Sequence, residues 1–210
     1  MKRIGLLSLA LVLALGALGV GYAAWTEQVT IEGTVDTGSL KLGIGKADIT
    51  IEQEKEIASA NLTWEGEIGE KDLGPPIGFV TVYEKLIVTI EDAYPCIYAD
   101  IAFYVANMGS IPLHISALRM YDPTGELEFK WDPLPPPLGN DGYFYDPDDP
   151  DQEPVISVRV INLIGTQLHY CQSDKADLIL KFEQPAKQGH TYSFMLEVEA
   201  IQWNKDQGPR

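Results

Sequence analysis

The chain has 210 residues, 45% of them hydrophobic, and sets 31 acidic side chains against 15 Lys and Arg for a formal charge of −16. That length accommodates one domain with a sizeable core. The acidity disfavours nucleic acid and anionic lipid as partners, because both would be repelled.

Met1, Lys2 and Arg3 form a basic head, and residues 4–25 carry no charge. A basic head, a Leu-rich apolar stretch and small residues after it are the pattern of a secretory signal peptide. Gly21 and Ala23 supply the small side chains needed just before a cut, so cleavage is expected after Ala23. Removing residues 1–23 leaves 187 residues beginning at Ala24, and the loss of Lys2 and Arg3 moves the charge from −16 to −18. A competing reading is a retained anchor, since residues 4–24 just suffice to span a hydrocarbon core of about 30 Å. Gly5, Gly16, Gly19 and Gly21 weaken such a helix. A type IV pilin helix would carry a Glu near its start, and no acid occurs before Glu27. Membrane contact is therefore expected only before cleavage, with the mature protein extracellular.

Directly after the expected cut, Trp25, Val29, Ile31 and Val35 alternate with Thr26, Gln28, Thr30, Glu32 and Thr34, a strand period. Residues 24–36 then have two fates. They pair within their own domain, or they add to an open sheet edge of a second copy by β-augmentation. In the second case Trp25, Val29, Ile31 and Val35 are the donor residues, each stabilising by about 1.5–3 kcal/mol before ordering costs. Such a contact is head-to-tail and does not close on itself, so it generates a filament of identical copies.

From residue 37 onward the body reads as one domain of short alternating runs. Leu40, Leu42 and Ile44 begin it, followed by Val80 to Ile90, Ile97 to Val105, Ile156 to Val160, Leu178 to Phe182 and Tyr192 to Val198. Runs of this kind between Gly, Pro, Asn and Asp clusters predict an all-β, jelly-roll-like β-sandwich. Residues 52–61 are the best candidate for a short helical insertion. Between Trp131 and Pro154 seven prolines predict a long irregular loop. It carries Asp141, Asp146, Asp148 and Asp149, hard oxygen ligands of the kind calcium takes, though not at EF-hand spacing. The plainer reading is a solvated acidic loop. Cys96 and Cys171 are the two cysteines, and in an oxidising exterior they predict one disulfide worth roughly 2–4 kcal/mol. Asn61-Leu62-Thr63 is a glycosylation sequon.

Catalytic equipment is not legible. His114, His169 and His190 are far apart, and there is no His-Glu-x-x-His helix, no Gly-x-Ser-x-Gly elbow and no Gly-rich phosphate loop. Ser110 and His114 lie in a run that reads as a loop entering a strand. No enzyme activity and no cofactor are expected.

Three segments carry a resemblance. Residues 21–27 followed by Val35-Asp36-Thr37-Gly38-Ser39-Leu40-Lys41-Leu42 resemble the start of TasA/camelysin-type biofilm-fibre proteins. Val105-Ala106-Asn107-Met108-Gly109-Ser110 resembles that family's Asn-x-Gly-Ser segment, and Glu199-Ala200-Ile201-Gln202-Trp203-Asn204 is similar to its closing strand. The resemblance implies a jelly roll, export through a dedicated signal peptidase, and biofilm-matrix fibres or bundling pili built by donor-strand exchange. Two other readings stay open. One is a monomeric extracellular module binding sugar or calcium, with Tyr143, Phe144 and Tyr145 as its platform; the other is an accessory subunit of another fibre.

Overall fold

Period-two side-chain alternation becomes period-two burial wherever a strand has one face in the core. The computed structural model, which describes residues 8–15, 38–131 and 141–203, has eleven strands, several of which follow that rule. The eleven are β1 Leu42–Glu52, β2 Ser59–Asp72, β3 Phe79–Ala93, β4 Tyr98–Asn107, β5 Leu113–Tyr121 and β6 Glu128–Trp131, then β7 Asp141–Tyr145, β8 Pro154–Ile161, β9 Gln167–Leu168, β10 Ser173–Phe182 and β11 His190–Gln202. On β4, Ala99, Ile101, Phe103 and Val105 are buried between more exposed neighbours, and β10 does the same with Ala176, Leu178, Leu180 and Phe182.

Every pairing is antiparallel, and the strands follow the path β6-β7-β8-β10-β4-β1-β3-β11-β5-β9, with β2 added to β3. Along that path five strands separate β7 from β11, yet Phe144 of β7 and Phe194 of β11 have ring centroids 4.8 Å apart. The sheet therefore curls so that two layers face each other, and the fold is an all-β sandwich. Their inner faces form one core, in which Phe103, Phe144, Phe182 and Phe194 are the largest fully buried side chains.

Contacts divide the chain into two compact units, Met1–Thr37 and Gly38–Arg210. In the first, residues 8–15 are helical, within the stretch expected to be a signal peptide; among the described residues no helix is long and apolar enough to cross a membrane. The expected cleavage junction and the donor residues Trp25, Val29, Ile31 and Val35 lie outside the described residues.

Two expectations are corrected. Residues 52–61 form no helix: β1 ends at Glu52, a turn follows, and β2 begins at Ser59. The Gln53 side chain closes that turn, its Oε1 accepting from the backbone N–H groups of Ile57 and Ala58 while its Nε2 donates to the Ala58 carbonyl. A stretch this short and polar has no apolar face to dock, and short helices are marginal alone. The segment from Trp131 to Pro154 is not wholly irregular either, because β7 lies inside it and pairs with both β6 and β8. Its aromatic run favours a strand, and the alternation sends Phe144 into the core while Tyr143 and Tyr145 stay half-buried.

Candidate assembly surface

The Asn-x-Gly-Ser segment following β4 is built as a clamp on the stretch that leads into β1. Met108 and Gly109 donate their N–H groups to the Lys41 carbonyl at 2.8 and 3.0 Å, and Ser110 donates to the Ser39 carbonyl at 2.9 Å. In return, the Ser39 N–H donates to Ser110 Oγ at 2.9 Å. A side chain at Gly109 would collide with the Ser39 carbonyl and stand 2.7 Å from the Lys41 nitrogen, so only glycine permits this close crossing. Beneath the crossing Asn107, 1% exposed, holds the segment in place. Its Nδ2 donates to the Ile111, Leu168 and His169 carbonyls at 2.8, 3.2 and 3.2 Å, and its Oδ1 accepts from Gly109 N–H at 2.9 Å. The clamp fixes the point at which residues 38–41 join the sandwich.

A second feature is a pair of open strand edges. β1 borders β3 only at Ile44 and Gly45; from Ala47 to Glu52 its ladder runs to β4 alone. β2 pairs only with β3. Among the described residues, then, each strand has one side with no backbone partner, and the 53–58 turn joins the two strands. The inward side chains along them, Ala47, Ile49 and Ile51 on β1 and Ala60, Leu62 and Trp64 on β2, pack against the core but remain only half-buried. Trp64 stacks on Tyr83 of β3 with centroids 5.2 Å apart. An edge of this length with unpaired N–H and C=O groups is a template for another strand.

Cys96 and Cys171 do not form the expected disulfide; both are free and exposed. Cys96 precedes β4 and Cys171 precedes β10, and the register pairs Tyr98 with Lys181 at one end and Ala106 with Ser173 at the other. About eight residues of extended strand, roughly 26 Å, therefore lie between them, against the 4.4–6.8 Å between Cα atoms that a disulfide tolerates. The two thiols stand at opposite poles of the sandwich.

The acidic candidates do not converge. Asp141 Oδ1 accepts from Arg159 Nε at 2.9 Å, and that ion pair holds the Arg159 guanidinium above its ordinary range. Asp146 and Asp149 accept backbone N–H groups of Asp148 and Asp151 within their own turns. Among the described residues no three His, Cys, Asp or Glu side chains gather as a metal ion requires. His190 pairs with Glu126 at 2.8 Å, and Ser110 is occupied by the clamp. Asn61 and Thr63 are both exposed on β2, so the sequon faces solvent. The aromatic platform of the binding-module reading is broken up, because Phe144 belongs to the core.

Near the Cys96 pole, Glu183 accepts from Ser157 Oγ and Lys181 Nζ, each at 2.7 Å. Desolvation pushes its carboxyl up, but the two hydrogen bonds together outweigh it and the net shift is downward. A depressed folded-state pKa adds stability above the unfolded carboxylate range, lost as pH falls through the folded value. Glu183→Gln is therefore expected to cost stability at neutral pH and to flatten the acid limb of the stability curve, followed as Tm against pH. An acid limb identical to that of the parent protein would show that the carboxylate is not coupled to folding.

Comparison with family models, with curated proteins and with solved structures finds no match for this chain.

Proposed function

We propose that this chain is an exported structural subunit that polymerises head-to-tail, residues 24–36 of each copy adding as a strand to the sandwich of the next, in an extracellular filament or bundling pilus of a biofilm matrix. The observation that carries the reading is the pair of open edges on β1 and β2 with half-buried apolar side chains beneath them. An added strand would satisfy the free backbone groups and cover those side chains with Trp25, Val29, Ile31 and Val35. Eleven residues from Trp25 to Val35 extend about 36 Å, more than enough to span the open stretch of β1 from Ala47 to Glu52. The clamp adds support, because a chain gripped at residues 39–41 transmits pull into the core strands.

Negative-stain electron microscopy tests the reading. Mature protein beginning at Ala24 is expected to form filaments, and a version lacking residues 24–35 to stay dispersed while folding normally by circular dichroism. Dispersed monomers from both would remove self-assembly and favour the accessory or binding-module readings.

A further inference from the structure

Two exposed thiols at opposite poles are an unusual equipment for an exported chain, and the surroundings of each differ in a way that pairs them. The Cys171 pole carries exposed apolar side chains, Tyr170 at 64% and Trp203 at 49%, together with Leu40. The backbone bonds from Asn107 to Gln172 and from Met108 to Lys41 bring this pole to the clamp, where Lys41 and Lys71 flank it, the Lys71 Nζ lying 3.4 Å from the Asn107 carbonyl. The Cys96 pole has Ile57 at 54% and Tyr98 as its exposed apolar residues. Its charges are mostly acidic: Glu52 stands across from Tyr98, Glu54 and Glu56 lie in the adjoining turn, and Glu91 and Asp92 close β3 beside it, against Lys55 in the same turn and Lys181 across from Tyr98 on β10. Two Cys96 poles would repel each other, whereas the Cys171 pole, where Lys41 and Lys71 stand among Glu70, Asp72 and Asp174, sets far less like charge against a Cys96 pole. Residues 38–41, which follow the donor segment, are held at the Cys171 pole, and the open stretch of β1 from Ala47 to Glu52 ends at the Cys96 pole across from Tyr98.

We infer that successive copies are joined covalently, Cys171 of one to Cys96 of the next, by a disulfide between unlike poles. The inference rests on the head-to-tail reading but concerns a different bond. The chemistry is thiol–disulfide exchange with a small-molecule or protein disulfide as oxidant. One cysteine thiolate attacks the oxidant's disulfide, forming a mixed disulfide and releasing the first thiol. The neighbouring copy's thiolate then attacks the mixed disulfide and releases the second thiol. Two thiols on the protein lose two protons and two electrons in all, and the oxidant's disulfide is reduced to two thiols. The bond is local to each contact, so it repeats along a filament without limit.

The test uses mature protein from Ala24, first reduced, then assembled with oxidised glutathione and denatured for electrophoresis without reductant. A ladder of dimers, trimers and larger species that collapses on reduction is expected, with Cys96 and Cys171 peptides joined in mass spectra. Cys96→Ser and Cys171→Ser are each expected to run as monomers, and a mixture of the two variants to stop at dimers. Both variants should keep forming filaments, now soluble in denaturant. Like-to-like joined peptides, a bond within one chain, or glutathione adducts alone on intact filaments would overturn the link while leaving self-assembly standing. A ladder without filaments would instead sink the strand-addition reading and leave the link, and the absence of both would remove both.

Discussion

Asn107→Ala is expected to destabilise the sandwich by about 2–4 kcal/mol, a fall in Tm of roughly 5–15 °C for a domain of this size. The side chain is almost fully enclosed and uses both ends: Nδ2 serves three carbonyls on two different segments, and Oδ1 takes the Gly109 N–H. Alanine leaves those carbonyls and that N–H without the amide and too enclosed for water to replace it. Asn107→Asp is expected to be no milder, because a carboxylate can accept from Gly109 but offers no donor to three carbonyls. Thermal unfolding followed by circular dichroism decides the matter. A loss below about 0.5 kcal/mol, the range of ordinary surface changes, would mean that the clamp is held by its backbone bonds alone. The consequence reaches beyond stability, because the same residue anchors the loop that grips residues 39–41.

How much of this was legible in the sequence depends on how each strand meets the core. β4, β10 and the part of β11 from Tyr192 to Leu196 read cleanly because one side-chain face is buried without interruption there. β5 is legible only as the strand that the loop before His114 enters, and its extent stays hidden for a definite reason. Its buried residues are Leu113 and Ile115, then Leu118 and Met120, and the phase changes where the ladder to β11 skips Ser116. A bulge inserts one residue and breaks the period on which the reading relies. β2 escaped because its few apolar residues sit among Glu, Thr and Gly and are only half covered, the signature of an edge rather than a central strand. The cysteine pair was misread because an even count in an exported chain suggests a bond within it, and sequence alone carries no distance. Resemblance drew attention to the segment from Val105 to Ser110, but Asn107 as its buried support needed the backbone of β9 and its following turn beside it. An open edge is the absence of a neighbour, and no residue pattern encodes that directly.

Leu62→Lys is expected to suppress filament formation strongly while leaving the monomer folded. Leu62 lies on β2, half-buried against the core, on a strand whose other side has no backbone partner among the described residues. In the separate monomer a lysine stem can cover the same apolar surface and carry its ammonium out past the edge, so the fold should lose only about 1 kcal/mol. A strand laid along that edge closes the exit. The ammonium must then be buried or the strand displaced, and even after relaxation the cost of burying such a charge is several kcal/mol. At about 1.4 kcal/mol per factor of ten, assembly should need at least tenfold more protein. Inward-pointing charge on an edge is how sheet proteins ordinarily prevent pairing of this kind. Thr63→Lys, one residue along on the exposed face, adds the same charge to the same strand without entering the seam and is the control. Sedimentation of filaments across a concentration series separates the two: a shift for Leu62→Lys alone places the acceptor at the β1–β2 seam, equal shifts for both reduce the effect to net charge, and no shift for either means that the donor strand docks elsewhere.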